Sequence, residues 1–513
     1  MLSIVNSCNF FGIDGFNVNV EVDLSRGMPC FNIVGLASIE IKEAKERVKS
    51  AIINSGFDFP TKRIVVNLSP ADIRKEGSLL DFPIAIGLLR NYIKKDEDYF
   101  KESVFVGELS LDGTLKKVKG ILPILITSKE NGFKRVFVPY ANLMETLYVD
   151  DIEVIPIKNL KECICYINEE ICIDLENIYS NTNKNIKDEI YEEDFYDVKG
   201  NYFAKRGLEI AAAGNHNVIL IGSPGSGKTM MAKRIRTIMP SLDKDEMMEI
   251  SKIYSIAGLI DNDIGIVNNR PFRMPHHSIT AAALVGGGIK AMPGEIVLAH
   301  RGVLLLDEFA EFQKNIIDML RSPMEEGEIY LSRFKKFLKY PCKSLIVATM
   351  NPCPCGYFMS DNRCRCNPNE ISRYKNRISG PILDRFDIFL QVNTIKYNDF
   401  LDDSLNETSE IIKERVEIAK EIQRERFKNT NIKNNSEIKS SEIDIFCPLG
   451  KEETKIVSQI FNKNKMSNRS YIKLIKTART IADLEQSKNI NKNHILEAFS
   501  YRKVYNTYFK RGD

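Results

Sequence analysis

Gly222-Ser223-Pro224-Gly225-Ser226-Gly227-Lys228-Thr229 fits the spacing G-x-x-x-x-G-K-[ST] and follows the apolar run Val218-Ile219-Leu220-Ile221. Met230 to Ile235, immediately after it, reads as a helix. A strand, a glycine loop and a helix in that order form the context that a phosphate-binding loop needs. Glycine lets backbone N–H groups turn toward a polyphosphate, and the helix N-terminus adds the positive end of its dipole. On this reading Gly222, Ser223, Pro224, Gly225, Ser226 and Gly227 cradle the phosphates of ATP. Lys228 reaches the β- and γ-phosphates, and the Thr229 hydroxyl holds Mg²⁺. A glycine-rich turn that matched by chance would lack these flanks.

Outward from the loop, the next chemistry is Val303-Leu304-Leu305-Leu306-Asp307-Glu308. A continuous apolar run ending in two acids reads as a buried parallel strand that delivers carboxylates to its C-terminal edge. Asp307 would hold Mg²⁺ through water, and Glu308 would orient and polarise the attacking water. Cys353-Pro354-Cys355 and Cys364-Arg365-Cys366 offer four thiols in two close pairs. Such a set suits a tetrahedral, structural Zn²⁺, although C-x-C departs from the commoner C-x₂-C. His276 and His277 are adjacent, and neighbours in sequence rarely share one metal position.

The chain has 513 residues, 43% of them apolar and 27% charged, and a formal net charge of +3. That length favours several domains. The small net charge confines any nucleic-acid surface to a local patch. No apolar run approaches a membrane span, and the first residues lack a signal-peptide pattern, so a cytoplasmic protein with no membrane partner is expected. In that compartment the eleven cysteines are reduced unless a metal holds them. Residues 1 to 170 alternate strands and helices. Phe16 to Leu24 has period two, Ser38 to Ile53 has helical spacing, and Arg63 to Leu68 reads as a strand. Residues 171 to 195 are polar and aperiodic, a linker.

Three segments, FNIVGLASIEIKEAKERVKSAIINSGFDFP, VNLSPADIRKEGSLLDFPIAIGLL and VGELSLDGTLKKVKGILPIL, resemble the N-terminal domain of the ComM/YifB family of magnesium-chelatase-like AAA+ ATPases. Pro275-His276-His277-Ser278, Gly286-Gly287-Gly288 and Ala478-Arg479-Thr480-Ile481-Ala482-Asp483-Leu484 extend the resemblance over nearly the whole chain. It implies an N-terminal domain similar in fold to the Lon protease domain. A Lon-type serine would fall on Leu79 and its lysine on Leu122, so both catalytic groups are absent. Ser78 is one residue from the serine position.

The resemblance also implies roles for single residues. Val198 and Gly200 belong to the segment that packs on adenine, with Asn201 where the family usually has Gln. Asn351, after the strand Ser344 to Thr349, would sense the γ-phosphate, with Thr349 as the fallback. Arg385 in Leu383-Asp384-Arg385-Phe386-Asp387 would reach a neighbouring subunit's site, and Arg469 would touch the γ-phosphate of its own. Gly327 to Lys339 reads as a hairpin whose Arg333, Lys335, Lys336 and Lys339, interleaved with Phe334 and Phe337, would contact DNA.

The expected fold is α/β throughout: a Lon-like domain at 1–170, a linker at 171–195, a P-loop AAA+ core at 196–395 and a helical lid at 396–513. The expected function is a homohexameric, Mg²⁺-dependent ATPase ring that moves single-stranded or branched DNA. Helicase or branch-migration activity of this kind would serve integration of incoming DNA in natural transformation. The alternatives are a chelatase-type motor that remodels a protein partner and an ATP-dependent Lon-like protease.

Overall fold

The computed structural model describes residues 1–36, 38–75, 77–175, 177–178, 191–288, 291–333, 336–358, 363–394 and 406–509. They divide into two compact units. The first comprises residues 1–187 together with 244–268, and the second comprises 188–243 together with 269–513.

The first unit is built on a seven-stranded mixed sheet. Its strands are β1 (Leu2–Phe11), β2 (Asp14–Ser25), β3 (Cys30–Val34), β4 (Arg63–Ser69) and β5 (Ser103–Phe105). A small hairpin of β6 (Glu108–Leu109) and β7 (Leu115–Lys116) precedes β8 (Arg135–Pro139) and β9 (Glu153–Ile157). The sheet order is β3-β4-β2-β1-β5-β8-β9. The period-two pattern of β2 buries Val18, Val20, Val22 and Leu24 on one face. The helix expected from Ser38 spans Ile39–Asn54, and the Ser38 hydroxyl caps it by accepting from the Ile41 N–H.

Residues 244–268 depart from the sequence-based boundaries, which put them in the ATPase core. Their helix, Lys244–Ala257, buries Ile250, Ile253 and Ile256 in the first unit. The Ser255 hydroxyl donates to Glu145 Oε2 at 2.8 Å, and the Gly120 N–H donates to the Ser255 carbonyl at 3.0 Å. Tyr148 donates to the Ile264 carbonyl at 3.1 Å. The chain therefore passes between the units three times, at 187/188, 243/244 and 268/269.

The second unit holds a five-stranded parallel sheet. Its strands are β10 (Val218–Gly222), β11 (Phe272–Arg273), β14 (Val303–Leu306), β17 (Leu345–Met350) and β18 (Ile388–Val392), in the order β11-β14-β17-β10-β18. Two hairpins lie outside it: β12 (Gly286–Gly287) with β13 (Met292–Pro293), and β15 (Glu328–Arg333) with β16 (Lys336–Pro341). Residues 406–509 do not form a separate body. Val416, Ile475 and Ile481, on the helices Ser409–Phe427 and Asn468–Leu484, share one core with Val218 and Leu220 of β10. Among the described residues no helix is long and apolar enough to cross a membrane.

Candidate nucleotide site

Parallel strands put all their C-terminal ends on one edge of a sheet, and that is where the predicted groups converge. The glycine loop leaves β10, Asp307 and Glu308 leave β14, and Asn351 leaves β17. Ile221 of β10 is level with Met350 of β17, so Asn351 stands beside the first residue of the loop. Gly222 lies so close to β18 that a Cβ there would sit 2.3 Å from the Val392 carbonyl oxygen. Gly225 and Gly227 take φ of +75° and +89°, the left-handed region that turns N–H groups inward. The helix Lys228–Arg234 starts at the end of the loop.

The Lys228 ammonium folds back onto the loop and donates to the Gly222 and Ser223 carbonyls, each at 2.8 Å. Burial lowers its pKa, and Asp307 and Glu308 act against that shift. The Ser226 hydroxyl is buried and lacks a hydrogen-bond partner among the described residues. Thr229 Oγ1 donates to Asp307 Oδ1 at 2.9 Å, and Thr349 Oγ1 donates to the same oxygen. Thr349 Oγ1 also accepts from the Glu308 N–H at 3.2 Å. A hydroxyl and a carboxylate held side by side form an oxygen set that suits Mg²⁺. Glu308 has φ +52°, a strained backbone for a non-glycine residue, and its carboxylate is exposed, 3.7 Å from His277 Nδ1. The two histidine rings lie with centres 4.0 Å apart and planes tilted by 36°, and His276 bonds to Ser278.

The expected adenine segment lies at the same edge. Val198 is buried, Gly200 has φ +60°, and Asn201 exchanges two hydrogen bonds of 3.0 Å with Asn393, just past β18. Asn201 has φ +51°, a conformation that asparagine tolerates well. Gly200, Asn201, Tyr202 and Gln391 help to line a cavity of about 430 Å³.

Arg385 and Arg469 are elsewhere. Arg385 lies three positions before the start of β18, and its carbonyl accepts from the Asn217 side chain at 3.3 Å, where β10 begins. From there to the glycine loop is the length of β10, roughly 13 Å at about 3.3 Å per residue. Arg469 opens the helix Asn468–Leu484, whose Lys473 pairs with Asp387 at 2.9 Å, also before β18. The same-subunit role expected of Arg469 is therefore not what the fold offers: both arginines lie at the N-terminal edge of the sheet. Both bond one carboxylate, Glu325, which accepts from Arg469 Nη2 at 2.6 Å and from Arg385 Nη2. No sequence signal singles out Glu325, one of two adjacent acids on a short helix.

The four thiols converge. Cys353 Sγ is 3.4 Å from Cys355 Sγ and 3.7 Å from Cys364 Sγ, and all four sulfurs, Cys366 included, lie within 4.8 Å of one another. Four sulfurs about 2.3 Å from one ion stand roughly 3.8 Å apart, so the set fits tetrahedral Zn²⁺. The Phe358 N–H points at Cys353 Sγ, 3.3 Å away. This loop also meets the phosphate loop: a Cβ at Gly356 would lie 2.5 Å from the Pro224 ring.

In the hairpin the described exposed face carries Tyr330 and Phe337, with Lys339 paired to Glu328 at 2.8 Å. Phe334 and Lys335 lie outside the described residues, as do the side chains of Arg333 and Lys336. In the first unit Leu79 and Leu122 are buried apolar side chains. Ser78 donates to Glu108, and the buried Lys75 ammonium caps the Leu68 and Pro70 carbonyls. Among the described residues no lysine is bonded to Ser78, so the serine–lysine pair of a Lon-type protease is missing.

The chain matches the family of magnesium chelatase, subunit ChlI, over residues 194–400, that of subunit ChlI of Mg-chelatase over 20–142, and that of magnesium chelatase, subunit ChlI C-terminal, over 406–502. It is 38% identical over 510 residues to the competence protein ComM of Haemophilus influenzae, covering 98% of this chain and 97% of that protein. It is 39% identical over 509 residues to YifB of Escherichia coli, covering 98% and 97%. A partial likeness, 25% identical over 181 residues and covering 32% of each chain, relates it to Lon protease 2 of Bacillus subtilis.

Proposed function

The chain belongs to the ComM/YifB family of magnesium-chelatase-like AAA+ ATPases, and from that premise we propose that it is a ring-forming motor that hydrolyses ATP to move DNA. One observation carries the reading: the glycine loop and its carboxylates occupy one edge of the sheet, and Arg385 and Arg469 the other. A protomer so built holds half of two different sites. Head-to-tail association completes each site, and repeated around a closed ring it yields a cyclic oligomer, for which we propose a hexamer.

In the completed site the loop N–H groups and Lys228 bind the triphosphate. Thr229 and Asp307 would hold Mg²⁺, which when bound neutralises charge on the β- and γ-oxygens. Thr349 fixes Asp307 and the Glu308 backbone, Glu308 orients the attacking water, and Asn351 reports the γ-phosphate. Arg385 and Arg469 both enter from the neighbour and stabilise the charge of the transferring phosphoryl group. Cys353, Cys355, Cys364 and Cys366 would hold a structural Zn²⁺ that braces the loop against Pro224. The DNA contact is the β15–β16 hairpin, through stacking on Tyr330 and Phe337 and through the basic residues near its tip. The relative from Haemophilus influenzae is a competence protein, which supports a role in natural transformation; helicase or branch-migration activity on incoming DNA is the form of that role proposed for this chain.

ATPase assays with single-stranded, duplex and four-way-junction DNA test this. Stimulation by at least one of them, suppressed by salt, is expected. Absence of stimulation by all three would favour the second reading, a chelatase-type motor that remodels a protein.

A further inference from the structure

The Glu325 carboxylate takes both arginines at once. Arg385 is further held by the Arg321 carbonyl at 3.0 Å and the Pro381 carbonyl at 2.6 Å. The cavity around them measures about 700 Å³ and has a lining of mixed charge, in which Lys343, Lys439, Lys473 and Lys476 face Asp384, Asp387, Glu437 and Glu442. Lys473 is paired with Asp387 and Lys343 with Glu437, so the two guanidinium groups that share the half-exposed Glu325 are the cations here whose partner a larger anion could replace. Arg321 and Glu325 belong to one short helix, Arg321–Glu326. The next residue is Gly327, with φ +68°, and β15 begins at Glu328. A Cβ at Gly327 would also fall 2.8 Å from the Lys343 side chain, so the joint favours glycine by both its φ and its close packing.

We infer that Glu325 is a positioning residue that stands in for the γ-phosphate of the neighbouring subunit's nucleotide and thereby links that nucleotide to the DNA hairpin. The inference rests on the proposal that both arginines act on the neighbour. With no triphosphate presented, Glu325 occupies them and fixes the helix. A triphosphate offered by a second copy carries more charge and more acceptor oxygens than one carboxylate, so it wins the arginines. Glu325 is then released, and the helix is free to turn about Gly327 with the hairpin attached. Loss of the γ-phosphate returns the arginines to Glu325 and resets the hairpin. The exchange is one of ion-pair partners, and no covalent bond changes.

The experiment uses the full-length chain as wild type, Glu325→Gln, Glu325→Asp and Arg385→Ala. Glu325 is half-exposed, so neither of its replacements opens the core. ATPase kinetics are measured with and without single-stranded DNA. The sequence contains no tryptophan, so Phe337→Trp adds a single emission reporter to the hairpin in each background. Glu325→Gln is expected to raise the DNA-free kcat by about threefold or more at unchanged KM, and to remove the additional stimulation by DNA. Glu325→Asp is expected to restore both. A non-hydrolysable ATP analogue should shift the reporter's emission in the wild-type background and leave it unshifted with Glu325→Gln. Wild-type kinetics in Glu325→Gln, or an emission shift that persists in it, would overturn the link. If Arg385→Ala hydrolyses ATP normally, the underlying arginine reading fails instead, and the two failures are told apart.

Discussion

At the scale of single residues, the site is a set of oxygens and cations arranged before any nucleotide arrives. Thr349 illustrates the economy of it: one hydroxyl donates to Asp307 and accepts from the backbone of Glu308. Glu308→Gln keeps the shape and removes the acceptor charge, so ATP should still bind while kcat falls by about 10²–10⁴-fold; single-turnover hydrolysis with a parallel nucleotide-binding titration checks it. A second residue sets acid stability. His216 is fully buried, and its Nε2 bonds to Thr480 at 2.7 Å. Burial pushes its imidazole down to about 4, with Asp387 opposing weakly. An unfolded histidine takes up its proton near pH 6.5, whereas the folded one stays neutral, so stability present above that pH is lost as pH falls toward the folded value. The expected slope is about 1.4 kcal/mol per pH unit inside that window. Denaturant melts of wild type and His216→Gln between pH 7 and 4 should converge; parallel curves would assign the slope to other groups. The acids and glycines of the nucleotide edge were legible because their types and spacing answer to phosphate and metal chemistry. Glu325 was not, because an acid's partner is chosen by the sheet's geometry, and nothing local in sequence records it.

Among the elements, the cysteine loop and the lid helices taught opposite lessons. The loop was readable from composition alone: four thiols within fourteen positions, and sulfurs that converge within 4.8 Å. Purified protein should contain about one zinc per chain. Cys364→Ser should lose it and weaken ATP binding through the contact between Gly356 and Pro224, which metal analysis and nucleotide titration together would test. A metal-free wild type with normal nucleotide binding would remove the brace. The helix Asn468–Leu484, whose N-terminus Ser467 caps, falls in the stretch expected to be helical, but the direction in which Arg469 points was not legible. Helix start signals fix where a residue sits along an axis. Which edge of the sheet it faces follows from buried pairs such as Lys473 with Asp387, whose partners are far apart in sequence.

For the whole molecule, placing the two half-sites on opposite edges makes a prediction that no single-chain site shares. Glu308→Gln and Arg385→Ala should each be inactive alone, yet a mixed assembly should recover activity, because some junctions pair an intact carboxylate with an intact arginine. Random mixing in equal amounts restores roughly a quarter of the junctions of a head-to-tail ring. ATPase rates across mixing ratios would show it, and a flat zero would place both residues in one protomer's site. The triple passage of the chain between its two units has a practical consequence for dissection. A polypeptide beginning near residue 191 would carry 244–268 without the surface that buries Ile250, Ile253 and Ile256, leaving a greasy, aggregation-prone graft on an otherwise sound motor. The faithful minimal fragment is one in which Asp243 is spliced directly to Asn269, and a protease nick at 187/188 alone would leave the two halves co-purifying.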